Sequence, residues 1–195
     1  MISGRLRDGE DNILKYLDLF RWIEAKYRVV LKLELDKSSK KLILDLGSCA
    51  CHFGLLSEFY GHKVVEIDLL TPQKQFLLSA EITDFYRAHG EFFRHPVIDH
   101  EILPFRSLPS FGARFDLVTA FMTFFNKFPD KTPWGVAEWK YFVFEAGSLL
   151  NEEGRLFLQL TRPFCPPEVG SFIAGLSETH DEKKCEFLIP ASALG

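Results

Sequence analysis

Between Lys41 and Asp68 the chain reads KLILDLGSCACHFGLLSEFYGHKVVEID, and no other stretch limits its fold as tightly. Leu42, Ile43, Leu44 and Leu46 form a near-continuous apolar run of strand length, as expected of a parallel strand covered on both faces. Gly47, Ser48, Cys49, Ala50 and Cys51 follow without one bulky side chain, so another molecule can approach the backbone closely. A helix beginning near His52 or Phe53 aims its free N–H groups at that approach. Gly61 is placed to end the helix in a left-handed conformation, and His62 to Ile67 make a second strand with Asp68 at its carboxyl end. This order opens a doubly wound α/β sheet.

An acid about 20 residues beyond a glycine loop is the usual partner of ribose hydroxyls. Glu66 competes with Asp68 for that role, since residues two apart share a strand face, but only Asp68 lies at the carboxyl edge. A dinucleotide fingerprint would need glycine at Cys49 and His52, and histidine is a poor substitute where helix and strand must pack closely.

The segment resembles the cofactor-binding half of class I S-adenosylmethionine-dependent methyltransferases. LPSFGARFDLVTAF, residues 108 to 121, is similar to that family's fourth-strand region, a Leu-Pro turn before an aromatic-Asp-aliphatic strand. WGVAEWKYFVFEAGSLLNEEGRLFLQLT, residues 134 to 161, resembles the next helix, a turn at Asn-Glu-Glu-Gly and the fifth strand. The likeness covers about residues 41 to 162.

This resemblance implies a Rossmann-like, doubly wound, mostly parallel sheet with flanking helices. It implies S-adenosylmethionine as cofactor, S-adenosylhomocysteine as product, and direct methyl transfer to a nucleophile held in line. The cofactor-binding residues it implies are Asp45, Gly47, Ser48, Cys49, Phe53, Asp68, Leu69, Ile102, Leu103 and Phe121. Asp45 is similar to the acid that orients the loop or meets the cofactor's amino end, with a role through backbone N–H groups as the alternative. Ile102 or Leu103 would flank the adenine, and Phe121, Phe124 and Phe125 would wall off an acceptor near Asn126. The same phenylalanines read equally as a lid or an interface. No catalytic residue is singled out, because a sulfonium is already activated and positioning supplies much of the acceleration.

The family's loop reads Gly-x-Gly-x-Gly, whereas here those positions are Gly47, Cys49 and Cys51. A left-handed backbone at Cys49 would cost about 1 to 2 kcal/mol. The substitution keeps two further readings open, a non-catalytic binding or scaffold module and a nucleotide-dependent oxidoreductase. An Asn-Pro-Pro-Tyr type signature of amino-group methylation of bases is absent after the fourth strand.

Composition narrows the partners. The 195 residues, nearly half apolar, suit one domain with a sizeable core, and a net charge of −4 exerts no general pull on nucleic acid. A small-molecule acceptor is therefore expected. No apolar run approaches the ~20 residues of a membrane span, and MISGRLRDGEDN lacks a signal-peptide core, so the expected location is cytoplasmic. Cys49, Cys51 and His52 are all metal-ligating types, but Cys-x-Cys-His in one turn lacks the separated pairs of a zinc site, and no metal is expected.

Residues 1 to 40 read as an N-terminal helical segment laid on a domain of residues 41 to 195. Asp11 or Asn12 can cap its helix, and Ile13, Leu14, Leu17, Phe20, Ile23, Tyr27 and Val30 recur at helical spacing, as in a helix laid over the sheet or over the cofactor cleft, with Phe20, Trp22 and Tyr27 as core or, in the alternative, as pocket lining. A helix is expected over Gln75 to Ala88, strands over Val97 to Ile102 and Phe115 to Phe121, a helix over Glu168 to Leu176 and one strand over Cys185 to Ile189. With one closing strand the sheet would be shortened at its C-terminal end, and its unpaired edge would leave a homodimer open.

Overall fold

The computed structural model describes residues 19–49, 51–69, 88, 91, 97–121, 125–128, 130 and 132–195. Seven strands of these residues form one sheet in the order β3-β2-β1-β4-β5-β7-β6. The central strands are β1 (Leu42–Leu46), β2 (Lys63–Asp68), β3 (Val97–Asp99), β4 (Phe115–Phe121) and β5 (Leu150–Gln159), all parallel. The short β6 (Thr179–Asp181) and β7 (Glu186–Pro190) make an antiparallel hairpin, and β7 lies antiparallel against β5. The chain thus closes with two strands where the sequence reading expects one. Thr179, His180 and Asp181 carry no apolar signal, so β6 is invisible to a hydrophobicity argument.

Side-chain alternation divides the interior in two. Leu44, Leu46, Ile67, Val118, Ala120, Leu156 and Leu158 face α3 (Val136–Ser148) and α4 (Pro167–Leu176), packing on Trp139, Phe142, Val143, Val169 and Ile173. Ile43, Val64, Leu117, Phe121 and Phe157 face the opposite way, toward Val29 and Val30 of α1 (Leu19–Lys32) and Phe53 of α2 (His52–Phe59).

The N-terminal helix is present, and of the apolar positions the periodicity selects Val30 faces inward while the others described do not. Phe20 is 81 % exposed, and Ile23, Tyr27 and Leu31 also face outward. Val29 and Val30 are buried, and Lys26 turns toward Phe121. Two apolar stripes run along this helix, and the sheet takes the one whose anchors reach it. Lys32 Nζ lies 2.6 Å from Glu186 Oε2 of β7, and Leu35 beyond the helix is fully buried. The capping and first-turn positions before Leu19 lie outside the described residues, as does nearly all of the helix expected over Gln75 to Ala88.

Two local features frame the site. Gly61 has φ 88°, its N–H bonds to Glu58 O at 2.8 Å, and His62 N–H bonds to Ser57 O at 3.1 Å, so the expected left-handed helix end is present. His62 Nδ1 accepts from Lys41 N–H at 3.1 Å and its Nε2 meets Leu35 O at 2.8 Å, which fixes the proton on Nε2 and ties the start of β1 to the end of α1. Downstream, β3 ends at Asp99, earlier than the expected Ile102, because its last rung is His100 N–H to Asp68 O. The Asn-Glu-Glu-Gly stretch is a bulge within β5 rather than a turn before it, since the register against β4 jumps from Phe115↔Leu150 to Leu117↔Arg155.

Candidate functional site

Three residues of the loop after β1 adopt glycine-like backbone. Gly47 has φ 74°, Cys49 φ 53° and Cys51 φ 59°, all left-handed. Ile67 O of β2 accepts from Gly47 N–H at 2.8 Å and Ser48 N–H at 3.2 Å, and the Phe125 ring covers Gly47, 3.7 Å from where a Cβ would stand. Asp68 closes the loop from the side. One carboxylate oxygen accepts from Cys49 N–H and the other from Leu69 N–H at 2.7 Å. Burial pushes the Asp68 carboxyl up to about 6, and those two bonds limit the rise.

Beneath the loop lies a buried acidic row. Asp45 of β1 is in register with Glu66 of β2 on one side and Thr119 of β4 on the other, so the three side chains share a face. Asp45 is 1 % exposed and Glu66 and Thr119 are fully buried. Thr119 Oγ1 donates to Asp45 Oδ1 at 2.6 Å. Burial, reinforced by the charge of Glu66, pushes the Asp45 carboxyl up to about 7 against the opposing pull of Lys26 and Thr119. The Cys51 thiol stands over the same row and is pushed up, first by burial and then by Glu66. Such a thiol stays protonated and is no nucleophile.

Opposite this row is Lys26 of α1, which the sequence reading passes over. Its Nζ stands 3.5 Å from the centroid of the Phe121 ring. Burial lowers it to about 8, while Asp45 and Cys49 pull it upward. The signal was available in spacing: Lys26 follows Trp22 by four residues and precedes Val29 and Val30 by three and four, which puts it on the face that meets the sheet.

The other sequence-predicted residues divide clearly. Asp45, Gly47, Ser48, Cys49, Asp68 and Leu69 are brought together at the carboxyl ends of β1 and β2. Phe53 and Phe121 are buried core residues beside them, with ring centroids 4.7 Å apart. Ile102 belongs to the core of the opposite face, and Leu103 is half-buried next to it. Asn126 is fully buried, with its Nδ2 donating to Phe164 O at 3.0 Å, so it pins the loop after β4 to the loop after β5. Phe124 lies outside the described residues. Among the described residues no cluster of His, Cys, Asp and Glu has metal-binding geometry, and no helix is long and apolar enough to cross a membrane.

The sequence matches no protein-family model and no curated protein. In fold it is similar to DesVI of Streptomyces venezuelae, at TM-score 0.54 and 12% identity over 81% of this chain and 59% of that one. CalS10, an amino pentose methyltransferase from Micromonospora echinaspora with S-adenosylmethionine bound, aligns at TM-score 0.48 and 18% identity over 75% of this chain and 56% of that one. The chain therefore spans under two thirds of the length of these structures. The fold shared with DesVI is a Rossmann-like, doubly wound, mostly parallel sheet with flanking helices, the architecture expected from the sequence.

Proposed function

We propose that this chain is an S-adenosylmethionine-dependent methyltransferase acting on a small-molecule acceptor. The observation that carries the reading is the loop at Gly47, Cys49 and Cys51, which holds three left-handed residues at the carboxyl ends of β1 and β2 despite two cysteines. A backbone held so, with acids behind it, suits a nucleoside carrying a cationic amino-acid tail. Bound S-adenosylmethionine would supply a methyl group already activated by positive sulfur. The chain's own contribution is to bind and to exclude water. Asp68 retains lone pairs beyond the two given to Cys49 and Leu69, enough for ribose hydroxyls. Asp45 and Glu66 favour a cation, and Phe125 shields the loop from solvent. The net charge of −4 supports a small acceptor over nucleic acid.

Calorimetry with S-adenosylmethionine, S-adenosylhomocysteine and nicotinamide dinucleotides tests the reading. Binding of the first two alone is expected. Absence of all binding would favour a scaffold module, for which the cysteine-substituted loop speaks, and tight dinucleotide binding would favour an oxidoreductase. Asp68→Ala is expected to weaken S-adenosylhomocysteine by about 1 to 3 kcal/mol through lost ribose hydrogen bonds. An unchanged affinity would move the ribose partner elsewhere.

A further inference from the structure

The outward side of α1 is apolar where a surface helix is ordinarily polar. Phe20, Ile23, Tyr27 and Leu31 follow one another at spacings of three, four and four residues, so they stand on one stripe, and all four are exposed. The stripe runs on to the neighbouring helix. Tyr27 is hydrogen-bonded to Tyr60 just past α2, and the Tyr60 ring stands edge-on to Phe59, centroids 5.2 Å apart, with Phe59 as exposed as Phe20. Single exposed apolar side chains are ordinary, but a continuous row of them marks a contact surface. The helix cannot roll to hide it. Val29 and Val30 are buried against the sheet on the other side, and Lys32 is held 2.6 Å from Glu186.

The charges beside the stripe say what it meets. Glu24 and Arg28 lie one turn apart on its flank, both exposed, with Arg28 Nη2 donating to Glu24 Oε1 at 2.6 Å. A lipid surface is met by a flank of bases, and here an acid occupies the central one. A second copy of the helix fits better. Laid antiparallel about a two-fold axis at mid-stripe, between Ala25 and Lys26, it sets Phe20 of each copy opposite Leu31 of the other and Ile23 next to Tyr27. The same rotation brings Glu24 of each copy beside Arg28 of the other. The flank is thus complementary to itself, and the two ion pairs within the helices can be exchanged for two between them.

We propose that the outer face of α1, continued by Tyr60 and Phe59, is a dimer surface that pairs antiparallel with α1 of a second copy of this chain. The contact then lies on the helical layer rather than on either edge of the sheet. It stands whether or not the loop after β1 binds a nucleoside.

Sedimentation equilibrium of the full chain tests the pairing, with dimer expected at about 10 to 100 µM. Phe20→Glu and Leu31→Glu are each expected to weaken dimerisation by about 100-fold, because the two-fold axis places either charge in the stripe twice. Phe144→Glu, at an exposed position of α3, is expected to leave it within about twofold. Glu24→Arg and Arg28→Glu are each expected to weaken it by about 10-fold by setting like charges together, and the double variant to return it to within about threefold of the parent. Thermal melts at dilutions where all are monomeric are expected to match, since every substituted side chain is exposed. A parent that stays monomeric at about 100 µM, a dimer indifferent to Phe20→Glu and Leu31→Glu, or a double charge exchange that restores nothing would each overturn the assignment. Capture of the monomer by phosphatidylserine vesicles, lost in Phe20→Glu, would overturn it too and give the face to lipid.

Discussion

Cys49 and Cys51 hold backbone that glycine adopts freely, and the strain at each is of order 1 to 2 kcal/mol. They are not equivalent. Cys51 is fully buried, so trimming it leaves a hole, whereas Cys49 is only half-buried. Cys49→Gly is expected to raise stability by about 0.5 to 1 kcal/mol, the relief of strain outweighing the added freedom of the unfolded chain. Cys49→Ala, which keeps a Cβ, is expected to change it little, and urea unfolding distinguishes the two. The left-handed requirement at Cys49 was legible in sequence because the motif positions carry it. The division of labour between the acids was not. Asp68 takes the loop amide, while Asp45 takes the Thr119 hydroxyl from a strand 74 residues away. Spacing along one strand identifies the face of an acid, but a partner on a third strand becomes visible only when the sheet is assembled.

At the scale of elements, the sequence located the loop-helix unit well, because its apolar runs and its Gly61 stop agree with one another. It failed where polarity and structure part company. Asn151 to Gly154 look like a turn, yet β5 runs through them as a bulge. Gly154 is there for a close approach: a Cβ would stand 2.9 Å from Phe115 O and 3.0 Å from Leu150 Cβ. Gly154→Ala is expected to destabilise by about 1 to 3 kcal/mol, measured by denaturant unfolding, because both obstacles belong to the sheet itself. The rotated face of α1 has a similar origin. Periodicity counts apolar residues, and it groups Phe20, Ile23 and Tyr27 with Val30, of which only Val30 is buried. The contacts that orient the helix are the Lys32–Glu186 pair and the buried Leu35, which lie at and beyond its end.

For the molecule as a whole, the buried charges set a pH profile. Asp45 stands at about 7 and Asp68 at about 6, against an ordinary 3.8. Between these values the folded state keeps protons that the unfolded chain has released, so stability falls as pH rises from about 4 to 7. Lys26, at about 8 against an ordinary 10.5, works the other way, since the unfolded chain keeps a proton the folded state has lost. Stability rises above pH 8 on its account until the thiols of buried Cys51 and half-buried Cys165, both pushed up by desolvation, reverse the trend near pH 9. Urea midpoints of the ligand-free protein are therefore expected to pass through a local minimum near pH 7 to 8 and to fall again above about pH 9. Asp45→Asn should flatten the acid limb, and Lys26→Met should remove the rise above pH 8.

The place of β7 in the sheet has a mechanical consequence. This strand is inserted between β5 and β6, so β6 is held to the sheet through β7 alone. β6 leaves the sheet whenever β7 lifts from β5. Its Glu186 grips Lys32 of α1 with one oxygen and Gln159 of β5 with the other. Breathing at the far rim of the sheet is thereby geared to the helix that carries Lys26, and loosening one slackens the other.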